Sequence, residues 1–135
     1  MFKRILIPIA LDHGIDLNET ITIARRLLSP EGLITLVGVV EQIPSYVAEY
    51  VTVKPGHEVE LGIRERLKAF AVGQKNLEVA VTSGKPGVVI ADLAETTKAD
   101  LIVIGSHKPG VEDYYLGSTA SRVVRRAHCA VMVLR

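Results

Sequence analysis

Two stretches of the chain, Asp100-Leu-Ile-Val-Ile-Gly-Ser-His-Lys-Pro-Gly110 and Leu116-Gly-Ser-Thr-Ala-Ser-Arg-Val-Val-Arg-Arg-Ala127, decide the reading of the fold. Leu101 to Ile104 are apolar without alternation, the pattern of a strand covered on both faces. Gly105 ends the run. Downstream, Ala120, Val123, Val124 and Ala127 recur at i, i+3, i+4 and i+7, one face of a helix, with Arg122, Arg125 and Arg126 mostly on the other. Gly117, Ser118 and Thr119 stand where that helix begins. Free backbone N–H groups, two hydroxyls and the positive end of the helix dipole therefore converge on the loop, a favourable place for a phosphate. Spacing alone leaves a plainer reading open, in which Gly105 is a turn residue and Gly117-Ser118 an N-cap without a ligand.

Working outward, strands and helices alternate. Lys3–Ile9 reads as a first strand. Leu17, Ile21, Ala24 and Leu28 mark a helical face, expected to stop at Ser29-Pro30 and Gly32. Leu33–Val40 is the second strand, and Glu41–Pro55, with two prolines and two tyrosines, a long excursion. Val59, Ile63, Leu67 and Phe70 form a second helical face closed by Gly73. Asn76–Thr82 alternates in polarity, which points to an edge strand. Pro86 opens a third helix with Val89, Ile90, Leu93 and Ala94 on one side, and Cys129–Leu134 closes the chain as a fifth strand. This order predicts an α/β fold, a doubly wound parallel sheet with helices on both faces and right-handed crossovers, in a single domain over residues 1–135.

Composition narrows function. A chain of 135 residues that is 48% hydrophobic builds one real core. Its net charge of +1, from 16 basic and 15 acidic residues, gives no electrostatic case for nucleic acid or a membrane surface. One cysteine, Cys129, forms no internal disulfide and fits a reducing compartment, where a buried strand thiol is its plainest role. The opening Met1-Phe-Lys-Arg-Ile-Leu-Ile-Pro8 is basic then apolar. Its apolar run is short and breaks into Asp12-His13-Gly14, so a cytoplasmic protein is expected rather than a secreted one. His13, His57, His107 and His128 show no metal-ligand spacing. Ser118 lacks the Gly-x-Ser-x-Gly surroundings of a nucleophile, so no catalytic residue is assigned.

The same motifs resemble those of the universal stress protein family, whose nucleotide binders carry Gly-x2-Gly-x9-Gly-[Ser/Thr] after the fourth strand. Gly105 matches the first glycine and Gly117-Ser118 the final pair. Lys108 stands at the second glycine, and the gap to Gly117 is one residue short. The family's shorter Gly-Ser-x-Asn-Pro…Leu-Gly-Ser variety is more similar to Gly105-Ser-His-Lys-Pro109 and Leu116-Gly-Ser118. Lys3-Arg-Ile-Leu-Ile-Pro8, Ile34-Thr-Leu-Val-Gly-Val-Val40, Ser83-Gly-Lys-Pro86 and Ala130-Val-Met-Val-Leu134 resemble further segments of the family, in the family's order.

The resemblance implies a Rossmann-like sheet of order 3-2-1-4-5. A ligand then sits at the switch point between strands one and four. It further implies a stress-response regulatory protein that binds ATP, AMP or ADP, with or without Mg2+. Adenine would lie near Ile9 and Val39, beside Pro8, Ala10 and Asp12. The phosphates would lie over Gly105, Ser106, His107, Lys108, Gly117, Ser118 and Thr119. In ATP-binding relatives an aspartate stands where this chain has Ala10; Asp12 follows two residues on. The family's other branch, interaction proteins without nucleotide, is the alternative, and slow ATP hydrolysis a third option for which no water-positioning residue is found. Many relatives dimerise through the last strand, which implies a homodimer through Cys129–Leu134.

Overall fold

A computed structural model describes residues 1–9, 16–41, 56–106 and 116–135. Five parallel strands form one sheet: β1 (Phe2–Ile9), β2 (Leu28–Val40), β3 (Leu77–Ser83), β4 (Leu101–Gly105) and β5 (Ala130–Leu134). They lie in the order β3-β2-β1-β4-β5. Between them run α1 (Leu17–Leu27), α2 (Gly56–Ala71), α3 (Pro86–Thr96) and α4 (Ser118–Arg126). The sheet order implied by the family resemblance is the one found, with β3 and β5 at the edges.

Alternation along the central strands splits the core in two. Ile5, Ile7, Ile34, Leu36, Leu101 and Val103 face one side, where Ile21 and Ala24 of α1 cover them and Phe70 of α2 packs alongside. Leu6, Val37, Ile102 and Ile104 face the other, under Ile90 and Ala94 of α3 and Ala120 and Val123 of α4. Leu101–Ile104 is thus buried on both faces, as its unbroken apolar run requires. Each fully buried Val, Leu or Ile contributes about 1.5–3 kcal/mol to this arrangement. Glycine sets how closely α2 and β2 approach: a Cβ on Gly38 would lie 2.4 Å from Ile63 Cγ2.

Four details differ from the sequence reading. Leu28 leaves the helix: its backbone is extended, it pairs with Phe2, and it still reaches the core as the last residue of α1's apolar face was expected to do. α1 does stop just ahead of Ser29-Pro30, but those residues are not a connecting loop. The chain continues as part of β2, with Leu28 opposite Phe2 and Leu33 opposite Arg4, so an irregular excursion bulges between them. Extended backbone accommodates proline at the edge of such a bulge. Gly32 closes it, since a Cβ there would meet Leu28 Cδ1 at 2.5 Å and the Lys3 carbonyl oxygen at 3.1 Å. Val124, expected on the buried face of α4, is 45% exposed, whereas Val123 is fully buried. Asn76 and Cys129 stand just outside the strands assigned to them; Asn76 takes the left-handed conformation (φ 58°) that turns the chain into β3.

The N-terminal end of the sheet is held by a side chain. Asp100 accepts hydrogen bonds from the Lys3 and Arg4 backbone N–H groups, at 2.8 and 2.9 Å, and so ties β1 to the start of β4. Partial burial pushes its carboxyl up, but these N–H groups and the Lys3 charge outweigh it and hold the group below the ordinary aspartate value. The Cys129 thiol packs beside the α3–α4 layer, and its desolvation there pushes its pKa up. That is the behaviour of a packing thiol, not of a nucleophile.

Candidate functional site

At the C-terminal end of the sheet β1 and β4 are neighbours, and the chain leaves them toward opposite faces, to α1 on one side and α4 on the other. Such a switch point opens a crevice between two strand ends. Pro8-Ile9 ends β1 and Gly105 ends β4, so two of the segments singled out in the sequence do meet there. Val39, near the end of β2, sits one position beyond Gly38, the residue opposite Ile9, and is half-buried.

Backbone hydrogen bonds bring together the two ends of the glycine-bearing loop. Ser106, only 3% exposed, donates its N–H to the Leu134 carbonyl at 2.9 Å, and its own carbonyl accepts the Gly117 N–H. Gly105-Ser106 is thereby held against the start of α4. The Gly117 carbonyl accepts from Ser121 N–H at 2.9 Å, the first bond of the helix. Gly117 occupies the N-cap without a side chain to cap with, and no acidic residue stands in the first turn. The N–H groups of Ser118, Thr119 and Ala120 therefore lack helical partners, and the dipole is left uncompensated by any acid of the helix. α1 differs: Asp16 caps it, accepting from Asn18 N–H at 3.0 Å and Glu19 N–H at 3.2 Å.

One basic residue backs this end of α4. A Cβ on Gly87, in the first turn of α3, would fall 2.6 Å from Arg122 Cβ and 2.7 Å from its Cδ. The absence of that atom lets the Arg122 stem cross directly over α3 and fixes the spacing of the two helices. On the opposite face, Ile7, Pro8, Ile9, Leu17, Thr20, Val103 and Gly105 line a small cavity of about 30 Å³ between the strand ends and α1. Thr20 is 5% exposed and donates its hydroxyl to the Asp16 carbonyl at 3.1 Å.

Of the residues expected at the site, Pro8, Ile9, Gly105, Ser106, Gly117, Ser118 and Thr119 lie around this crevice, with Val39 on the adjoining strand. Ala10, Asp12, His107 and Lys108 lie outside the described residues. In the sequence Leu17 reads only as a core position, and nothing there singles out Thr20. A threonine one helical turn inside a capped N-terminus carries no signal in sequence; only the packing of α1 on β1 and β4 brings it to the strand ends. Among the described residues no group of three or more His, Cys, Asp or Glu side chains is placed to hold a metal ion. Nor, among them, is any helix long and apolar enough to cross a membrane.

Comparison with known proteins agrees with this geometry. The universal stress protein family matches residues 1–135. A universal stress protein of Thermus aquaticus is 30% identical over an alignment of 139 positions that covers all of both chains. Universal stress protein G of Salmonella typhimurium is 28% identical, again over the whole of both. The structure of a universal stress protein, UspA, from Lactobacillus plantarum superposes with a TM-score of 0.72 at 26% identity, covering 98% of this chain and 97% of that one. Two more distant structures share the fold. One, solved in complex with cAMP, has a TM-score of 0.68 at 16% identity and covers 99% of this chain and 97% of its own. The other, from Archaeoglobus fulgidus in complex with dAMP, has a TM-score of 0.65 at 19% identity and covers 98% of each.

Proposed function

The chain belongs to the universal stress protein family, and on that premise we propose that it is a small cytoplasmic regulatory protein that binds ATP, or AMP or ADP, at the crevice between β1 and β4. The observation that carries this reading is the junction of Ser106 with Gly117. It holds a glycine-ended strand against an uncapped helix N-terminus at the switch point. Backbone N–H groups of Ser118 and Thr119, with their hydroxyls, suit phosphate oxygens, and the end of β1 offers an apolar floor for the nucleoside. Relatives of the same fold solved with cAMP and dAMP support an adenine nucleotide as the class of ligand. A Mg2+ accompanying ATP would be carried on the phosphates.

The reading includes a homodimer formed by β5. Val131, Met132, Val133 and Leu134 are all only half-buried at a sheet edge, and pairing with a second copy would cover them and satisfy the outward peptide groups. Ala10, at the place of the aspartate of ATP-binding relatives, favours a second reading, an interaction protein of the same fold without nucleotide. A melting experiment separates the two. ATP at a hundredfold excess over its dissociation constant should stabilise the protein by about 2.7 kcal/mol. An unchanged melting temperature with millimolar ATP, ADP and AMP, with and without Mg2+, would leave only the second reading.

A further inference from the structure

Among the described residues that line the cavity beside the crevice, Thr20 brings the one polar side chain. Pro8, Ile9, Leu17 and Gly105 are half-buried, and Thr20 is nearly sealed beneath them. The Thr20 hydroxyl has one hydrogen, and that hydrogen is given to the Asp16 carbonyl at 3.1 Å. The same carbonyl takes the Thr20 N–H, also at 3.1 Å, which fixes the side chain against its own helix. The oxygen is left able only to accept. A group that enters with an O–H or N–H can donate to this oxygen and gains a hydrogen bond that an apolar group lacks.

Volume suits a small donor. About 30 Å³ is enough for a water molecule or a single hydroxyl. Position narrows the choice. Gly105 borders both this cavity and the phosphate loop, so a ligand with phosphates at α4 has its sugar, rather than its base, nearest the cavity. Resting on the nucleotide reading above, we propose that Thr20 is a specificity-determining residue: its hydroxyl oxygen accepts a hydrogen bond from a ribose hydroxyl seated between Ile9, Leu17 and Gly105. The site thereby distinguishes ribonucleotides from one of the two deoxy forms.

Calorimetric titration of the full chain with ATP, 2′-deoxy-ATP and 3′-deoxy-ATP tests this, using wild type, Thr20→Val and Thr20→Ser. Wild type should bind one deoxynucleotide about two- to tenfold more weakly than ATP, the range of one hydrogen bond. Thr20→Val should lose the same factor for ATP and no longer distinguish that deoxynucleotide, while Thr20→Ser keeps the wild-type pattern. Equal binding of all three nucleotides by wild type would overturn the proposal without any variant. So would a Thr20→Val protein that weakens for all three alike, which marks a structural effect. A wild type that binds ATP while Thr20→Val matches it refutes this inference alone; a wild type that binds no nucleotide refutes the nucleotide reading and this inference with it.

Discussion

Replacing Gly87 by alanine probes the contact that sets α4 against α3. The added Cβ would fall 2.6, 2.7 and 2.8 Å from Arg122 Cβ, Cδ and Cγ, all short of any ordinary contact. The Cγ and Cδ atoms swing away with a change of rotamer, but Cβ is fixed to the α4 backbone. Relief therefore requires the two helices to part by several tenths of an ångström, which loosens Ala94, Ala120 and Val123 beneath them. Overpacking of this kind costs about 1–3 kcal/mol. Alanine gains up to about 1 kcal/mol over glycine in a helix, less in a first turn. The balance is a loss of about 1–2 kcal/mol, or roughly 3–8 °C in melting temperature. Urea unfolding at constant m-value reads the loss. Arg122→Ala in the same background should recover little, because it keeps the offending Cβ, whereas Arg122→Gly should recover more of the strain at its own helix-propensity cost. Since α4 carries Ser118 and Thr119, the Gly87→Ala protein should also bind ATP more weakly. A Gly87→Ala protein as stable as wild type would show that helix propensity wins and that the close approach does not fix the helices.

Three further outcomes follow from single contacts. Asp16→Ala should destabilise by about 1 kcal/mol through loss of the α1 cap, and Asp16→Asn should be near neutral because asparagine caps as well; denaturant midpoints decide it. Asp100 has a lowered pKa in the folded chain, so its contribution is complete above the ordinary aspartate value near pH 4 and is lost as pH falls through the lower folded value. Unfolding midpoints measured from pH 5 to pH 2 should therefore decline less steeply in Asp100→Asn than in wild type. Val133→Pro removes a backbone donor from β5 and should shift a dimer toward monomer in sedimentation velocity; an unshifted dimer would place the interface elsewhere.

The alternation of strands and helices was legible in the residues themselves, whereas the strand order came from the family resemblance; burial leaves marks on single strands that agree with that order. Leu101–Ile104 reads as one unbroken apolar run, and Leu77–Ser83 alternates at an edge. The switch point followed from that order, and with it the meeting of Pro8-Ile9 with Gly105 and Gly117-Ser118. What escaped the sequence depends on contacts between distant elements. Leu28 satisfies the periodicity of α1 and the pairing of β2 equally, and only its bond to the sheet opposite Phe2 decides between them. Val123 and Val124 are the same residue type at adjacent positions, and the packing of α4 against α3 and the sheet buries just one. Thr20 reached the strand ends through helix packing, for which no local pattern exists.

Titrating ATP into wild type and Gly117→Val by calorimetry tests the nucleotide claim most directly. Gly117 has φ −57°, a conformation valine adopts without strain, and its replacement keeps the N–H that bonds Ser106. The added isopropyl group stands at the N-cap, beside the Ser118 and Thr119 N–H groups that lack helical partners. The account predicts saturable binding to wild type and none to a Gly117→Val protein that still unfolds cooperatively. Equal binding by the two proteins would contradict it, placing the nucleotide away from the α4 N-terminus.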